Sequence, residues 1–156
     1  MNRKLILVSL VCMFIDQITK YIIIVKMNLL DSIEIIKSFF KITYVRNYGA
    51  AFNILDGNKI LLILITIGVL FFIYWIYLRN KTLDNFQINV YGLLIGGILG
   101  NLIDRIMFGY VIDFLDFKII GYNFPIFNMA DIWIVVAVGL IIIKILFWGD
   151  DLSKDI

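Results

Sequence analysis

Four stretches of this 156-residue chain each approach the roughly 20 apolar residues that a helix needs to cross a bilayer, and this constrains the fold more than any other feature. They run over about 5–25, 60–78, 88–107 and 132–148. The second carries no charge. The first is interrupted by Asp16, Gln17 and Lys20, and the third carries Asn89, Asn101, Asp104 and Arg105. In the fourth, Lys144 lies near enough to the end to snorkel. Only 17% of residues are charged, against about 25% in a soluble domain. Hydrophobic residues make up 62%, more than a core of this size can bury, so lipid must face much of that surface. The expectation is an all-α membrane protein: one domain over 1–156, with four transmembrane helices.

Parity sets the layout. The loops 26–59 and 108–131 share one side, while both termini and the 79–87 loop share the other. Arg3, Lys4, Arg79 and Lys81 suit a cytoplasmic second side, although Lys26, Lys37, Lys41, Arg46 and Lys59 crowd the first. Both termini are therefore expected in the cytoplasm. Trp75, Tyr77 and Trp148 sit near span ends, as interfacial aromatics do. Phe40 to Tyr44 alternates with period two and reads as a strand. Phe117 to Ile120, then Gly121-Tyr122-Asn123, reads as a second strand and turn, so a small extracytoplasmic β-sheet or cradle should stand beside the helices. Arg3-Lys4 before an apolar run and Cys12 outlines a lipoprotein signal. Val11 is too large to precede a lipidation cysteine, however, and three spans follow. The segment reads as uncleaved, and Cys12 as a small buried apolar residue.

The rare residues narrow the chemistry. There is no histidine and Cys12 is the sole cysteine, which removes Ser-His-Asp and Cys-His nucleophiles, His-ligated zinc and any disulfide within the chain. The serines have no lysine near them in a catalytic setting. With 14 basic and 12 acidic residues, the charge is too balanced for nucleic acid. Hydrolysis at neutral pH would fall to carboxylates.

An ionisable residue at mid-bilayer costs about 2.5–3.5 kcal/mol on insertion scales and normally faces the bundle interior. Asp16 and Lys20, four apart, share a helix face with Ser9 and Cys12. They are either an ion pair holding helices together or neighbours of a polar site. Gly92, Gly96 and Gly100 form a small-residue face for close helix approach, which continues into Asn101 and Arg105 with Asp104 beside them. That polar group must be hydrogen-bonded or face a wet cleft.

Asp113 follows the third span and Asp131 opens the fourth, on the same side. Taken alone, Asp113, like Asp116, reads as a solvated loop residue. Asp131, three after Asn128, reads as half of a capping box. Together, with Asn47, Asn101 and Arg105 on the same side, the two are the best catalytic candidates. Asn47, Asn128 and Arg105 are suited to holding substrate carbonyls or the aspartates, or to satisfying loop backbone.

These segments resemble the lipoprotein signal peptidase (signal peptidase II) family. Asp16-Gln17-Ile18-Thr19-Lys20 is similar to its first motif, and Asn47-Tyr48-Gly49-Ala50-Ala51-Phe52 to its second. Gly96 to Arg105, continuing through Gly109 to Val111-Ile112-Asp113-Phe114, is similar to the third. Phe127-Asn128-Met129-Ala130-Asp131 is similar to the fourth. Departures are Ile112, where valine is usual, and Ile132-Trp133, where small or hydroxyl residues are common.

The resemblance implies a bacterial aspartyl endopeptidase of the cytoplasmic membrane, active at the extracytoplasmic surface. Its substrates would be diacylglyceryl-modified prolipoproteins, cut before the lipidated cysteine. Asp113 and Asp131 stand at the catalytic positions, Asn47, Asn101, Arg105 and Asn128 at polar positions lining the site, and Asp16 and Lys20 at a supporting pair. It also implies globomycin-type inhibition, contact with membrane lipids, and neither metal nor organic cofactor; we expect a monomer. The competing reading is a small proton-coupled transporter using Asp16, which predicts one buried acidic residue acting as a proton site within a span. A non-catalytic scaffold would tolerate loss of both aspartates.

Overall fold

In α1 (Arg3–Lys26) the buried residues are Leu5, Ser9, Cys12, Asp16, Lys20 and Ile23. Their steps of three and four place them on one stripe. Ser9, Asp16 and Lys20 face inward, while Leu7, Phe14, Tyr21 and Val25 are each more than half exposed. Such inverted amphipathicity is what a hydrocarbon solvent selects. Cys12 is buried on this stripe, as expected. The computed structural model describes residues 2–49, 55–79 and 82–148. Ala50, Ala51 and Phe52 of the second motif, and Lys81, lie outside the described residues.

All four expected spans are helices long and apolar enough to cross a membrane. Helix α2 (Lys59–Ile73) continues through a π-helical turn at Tyr74–Leu78. There Trp75 stacks on Phe71 and carries the Arg79 guanidinium 4.0 Å above its ring. Helix α3 (Asn85–Met107) starts three residues before the apolar run. Its N-terminus is set by a capping box, in which Asp84 Oδ1 accepts from Gln87 N at 2.7 Å and Gln87 Oε1 accepts from Asp84 N at 3.0 Å. Helix α4 (Met129–Trp148) closes the bundle.

Helix α3 is the axis on which α1 and α4 pack, buried along most of its length. The glycine stripe explains how closely α1 approaches. A Cβ on Gly96 would stand 2.7 Å from both Cys12 Cβ and Ser9 O, and one on Gly100 would collide with the Asp16 carboxylate.

A four-stranded antiparallel sheet lies between these helices in sequence, in the order β1-β2-β3-β4: β1 Ser32–Ile36, β2 Phe40–Asn47, β3 Val111–Ile119 and β4 Tyr122–Asn123. Both expected strands exist but are longer than the sequence pattern indicated. Pairing of Asn47 with Val111 and Val45 with Asp113 zips β2 to β3, so Asp113 lies in a strand rather than a solvated loop. Strand β1 was not expected. All five of its residues are exposed, so no buried face imposes an alternation. Ile23 and Met27 at the end of α1 pack with Tyr44, Ile112 and Phe114, joining sheet to bundle.

Candidate active site

Lys20 is 1% exposed, and its ammonium meets Asp16 Oδ2 at 2.8 Å, Asp104 Oδ2 at 2.9 Å and Asn101 Oδ1 at 2.9 Å. Three donors thus find three acceptors. The remaining carboxylate capacity is also used. Asp16 Oδ1 accepts from Ala130 N at 2.9 Å and Asp104 Oδ2 from Ile112 N at 3.1 Å. Gln17 Nε2 donates to Asp104 Oδ1 at 2.9 Å and to Gly100 O at 3.1 Å. A cluster this satisfied ties α1, α3, β3 and α4 together, with both Asp16 oxygens engaged.

The next layer is built from amides. Asn128 Nδ2 donates to Asp113 Oδ1 at 2.6 Å and to Asn101 Oδ1 at 3.1 Å. Asn47 Nδ2 reaches Asp113 Oδ2 at 3.0 Å, while its own oxygen caps Gly49 N. Asn101 Nδ2 donates to Asp131 Oδ1 at 2.8 Å. Asn128 and Asp131 also form the reciprocal capping pair, each side chain accepting from the other's backbone N–H at 3.1 Å. The capping reading of Asp131 is correct, and it coexists with a place beside Asp113. Asp113 itself is 2% exposed. Burial, and secondarily the charge of Asp131, push its carboxyl up to about 7 against the pull of Asn47, Asn128 and Lys20.

Of the residues singled out in the sequence, Asp16, Lys20, Asn47, Asn101, Asn128, Asp113 and Asp131 join one hydrogen-bonded network. Arg105 stands at its margin. Its Nη2 donates to Gly49 O at 3.1 Å and its Nη1 to Asn101 O at 3.5 Å, and its buried Nε has no partner among the described residues. Trp133 packs against Gly97. The sequence reading left Gln17 without a role and did not pair Asp104 with Lys20. Asp104 signals itself as a charge one turn past Gly100, but its partner lies on another helix.

A pair of neighbouring carboxylates that can retain one proton near neutrality is suited to general acid–base chemistry. Four apolar helices with such a site at one end of the bundle define a polytopic membrane protein with the apparatus of a hydrolase. The comparisons agree. The profile of signal peptidase (SPase) II matches residues 8–147. The lipoprotein signal peptidase of Halothermothrix orenii is 44% identical over 137 residues, covering 88% of this chain and 91% of that protein. That of Staphylococcus aureus is 43% identical over 141 residues, covering 90% and 86%. A solved bacterial membrane enzyme superposes with a TM-score of 0.86 at 40% identity, covering 97% of this chain and 92% of that one. The chain belongs to the signal peptidase II family of membrane proteases.

Proposed function

We propose that this chain is an aspartic endopeptidase that removes the signal peptide from diacylglyceryl-modified prolipoproteins, cutting before the lipidated cysteine. One observation carries the reading beyond family membership: Asp113, buried beside Asp131, has a carboxyl pushed up to about 7. Asp131 is the base. It sits in the first turn of α4, where the helix dipole favours an anion, and it accepts from Asn101 Nδ2 and Asn128 N. Asp113 is the acid. Asp131 draws a proton from water as the water oxygen attacks the scissile carbonyl, and protonated Asp113 donates to the carbonyl oxygen. The tetrahedral intermediate collapses as Asp131 passes its proton to the leaving amine and a gem-diol hydroxyl returns one to Asp113, with no covalent adduct to the enzyme.

The site would face the extracytoplasmic surface of the bacterial cytoplasmic membrane, with both termini inside. There acyl chains can stay in lipid while the peptide bond meets water. Residues 26–59, including β1 and β2, would clamp the peptide, with Arg105 and Asn47 near its carbonyls. A cyclic peptide of the globomycin type would occupy the same cleft, and the active unit would be a monomer. The test is cleavage of a diacylglyceryl-modified prolipoprotein in detergent by wild type, Asp113→Asn and Asp131→Asn. Cleavage by wild type alone, with both variants folded, is expected. Near-normal cleavage by either variant would sink the dyad, and none by folded wild type would sink the peptidase reading.

A further inference from the structure

Along β3, Asp116 and Lys118 alternate with Asp113, Leu115 and Phe117, so they project from the other face of the sheet. Lys41 pairs with Asp116 across β2 and shares that face. These three residues, with Asn123, Phe39 and Phe124, line a cleft of about 430 Å3, within the size range of small-molecule sites. Neither lysine has an ion-pair partner among the described residues. Asp116 instead accepts from Thr43 Oγ1 at 2.7 Å, and Thr43 Oγ1 lies 2.8 Å from Ser32 Oγ. Glu34, opposite Lys41 on β1, accepts from Ser38 N instead of pairing with that lysine, so both ammonium groups stay unpaired beside Asp116.

Its rim is apolar. Phe39 and Phe124 are exposed, and the β3–β4 turn next to the cleft carries Ile120, 102% exposed on a left-handed backbone at φ 49°. Exposed apolar side chains beside basic ones are the composition of an interfacial anchor. The basic residues Lys26, Lys37, Lys41, Arg46, Lys59 and Lys118 also share this side of the spans, against the usual topological bias of charge. An anionic lipid surface gives two of them a role.

We propose that this cleft binds the phosphodiester headgroup of an anionic phospholipid. Lys41 and Lys118 take the phosphate oxygens beside Asn123, and the acyl chains run along Phe39, Phe124 and Ile120. A free phosphate would satisfy the lysines but leave the apolar rim unused; a lipid uses both. The inference goes beyond the peptidase reading, because none of these side chains bonds to Asp113 or Asp131.

The experiment is native mass spectrometry of the full chain released from detergent micelles doped equally with phosphatidylglycerol and phosphatidylcholine. One phosphatidylglycerol should be retained per chain, in preference to phosphatidylcholine and in the presence of excess inorganic phosphate. The pair Lys41→Gln and Lys118→Gln should lower retention roughly thirtyfold, in keeping with two lost lysines near a lipid surface. The pair Lys41→Arg and Lys118→Arg should preserve it. Phe124→Ser, which keeps both charges, should reduce it. Undiminished retention by the glutamine pair, equal retention of phosphatidylcholine, or displacement by inorganic phosphate would each overturn the proposal.

Discussion

The ammonium of Lys20, on α1, donates to Oδ1 of Asn101, on α3, at 2.9 Å. The carbonyl end of the Asn101 side chain is thereby committed, and its NH2 end turns to Asp131 Oδ1 at 2.8 Å. A buried cation two layers from the carboxylate pair thus decides which group Asn101 presents to it. Because Lys20 also holds Asp16 and Asp104, the same charge orients the site and closes the bundle.

Replacing that cation should therefore destabilise more than an ordinary polar loss. Lys20→Met strands Asp16 and Asp104, both 0% exposed, without their counter-ion. Breaking a buried pair on one side costs about 3–5 kcal/mol. Thermal unfolding in detergent should show a large fall in midpoint, and a midpoint close to wild type would refute the pairing.

The two dyad variants should fall together in stability and in activity. Asp113 accepts amide donors on both oxygens, so Asn at this position must turn an NH2 group against one of them, costing about 1–3 kcal/mol. Asp131 likewise accepts on both oxygens, from Asn101 Nδ2 and Asn128 N, so Asn there meets the same conflict and should cost a similar amount. Both should lose at least about 10²-fold in cleavage rate, as expected for a missing acid or base. A wild-type midpoint for either variant would contradict the donor assignment around that aspartate.

The raised Asp113 carboxyl gives a signed pH dependence. Its folded value of about 7 lies above the ordinary carboxylate value of 3.8, so between these values the native state binds more protons than the unfolded state. This contribution to stability is full below about pH 4 and is lost as pH rises through about 7. Asp113→Asn should remove this dependence from urea unfolding measured across the window. Cleavage by wild type should also fall above about pH 7 as the shared proton leaves, with an apparent value belonging to the pair. A cleavage rate still rising well above pH 7 would exclude Asp113 as the acid.

Features set by local spacing were legible before the fold was known. The four-residue step from Asp16 to Lys20 sufficed for their ion pair, the three-residue step from Asn128 to Asp131 for the capping box, and the apolar runs for all four helices. Features that need a second element were not. Asp104 finds Lys20 across the α1–α3 interface, and Gln17, beside a recognisable pair, discloses its bond to Gly100 O only when those helices meet. Strand β1 escaped because its isoleucines remain exposed and only pairing to β2 defines it. Asp113 read as a loop residue because Val111 to Phe114 is buried on both faces, which erases the two-residue alternation.

Helix approach at the glycine stripe offers a test against an internal control. At Gly100 an added methyl would meet the Asp16 carboxylate, which is pinned by Lys20 and Ala130 and cannot move aside without breaking those bonds. At Gly139, on α4, the same methyl meets nothing within 4 Å. Gly100→Ala should cost about 1–3 kcal/mol, the range for overpacking, and should lower cleavage by displacing the carboxylate cluster beneath Asn101. Gly139→Ala should leave activity unchanged and raise stability by about 0.5–1 kcal/mol through helix propensity. Thermal midpoints and cleavage rates of the two variants, measured side by side, decide the matter. If Gly100→Ala behaved like Gly139→Ala, α1 and α3 would not approach as closely as the Lys20 network requires.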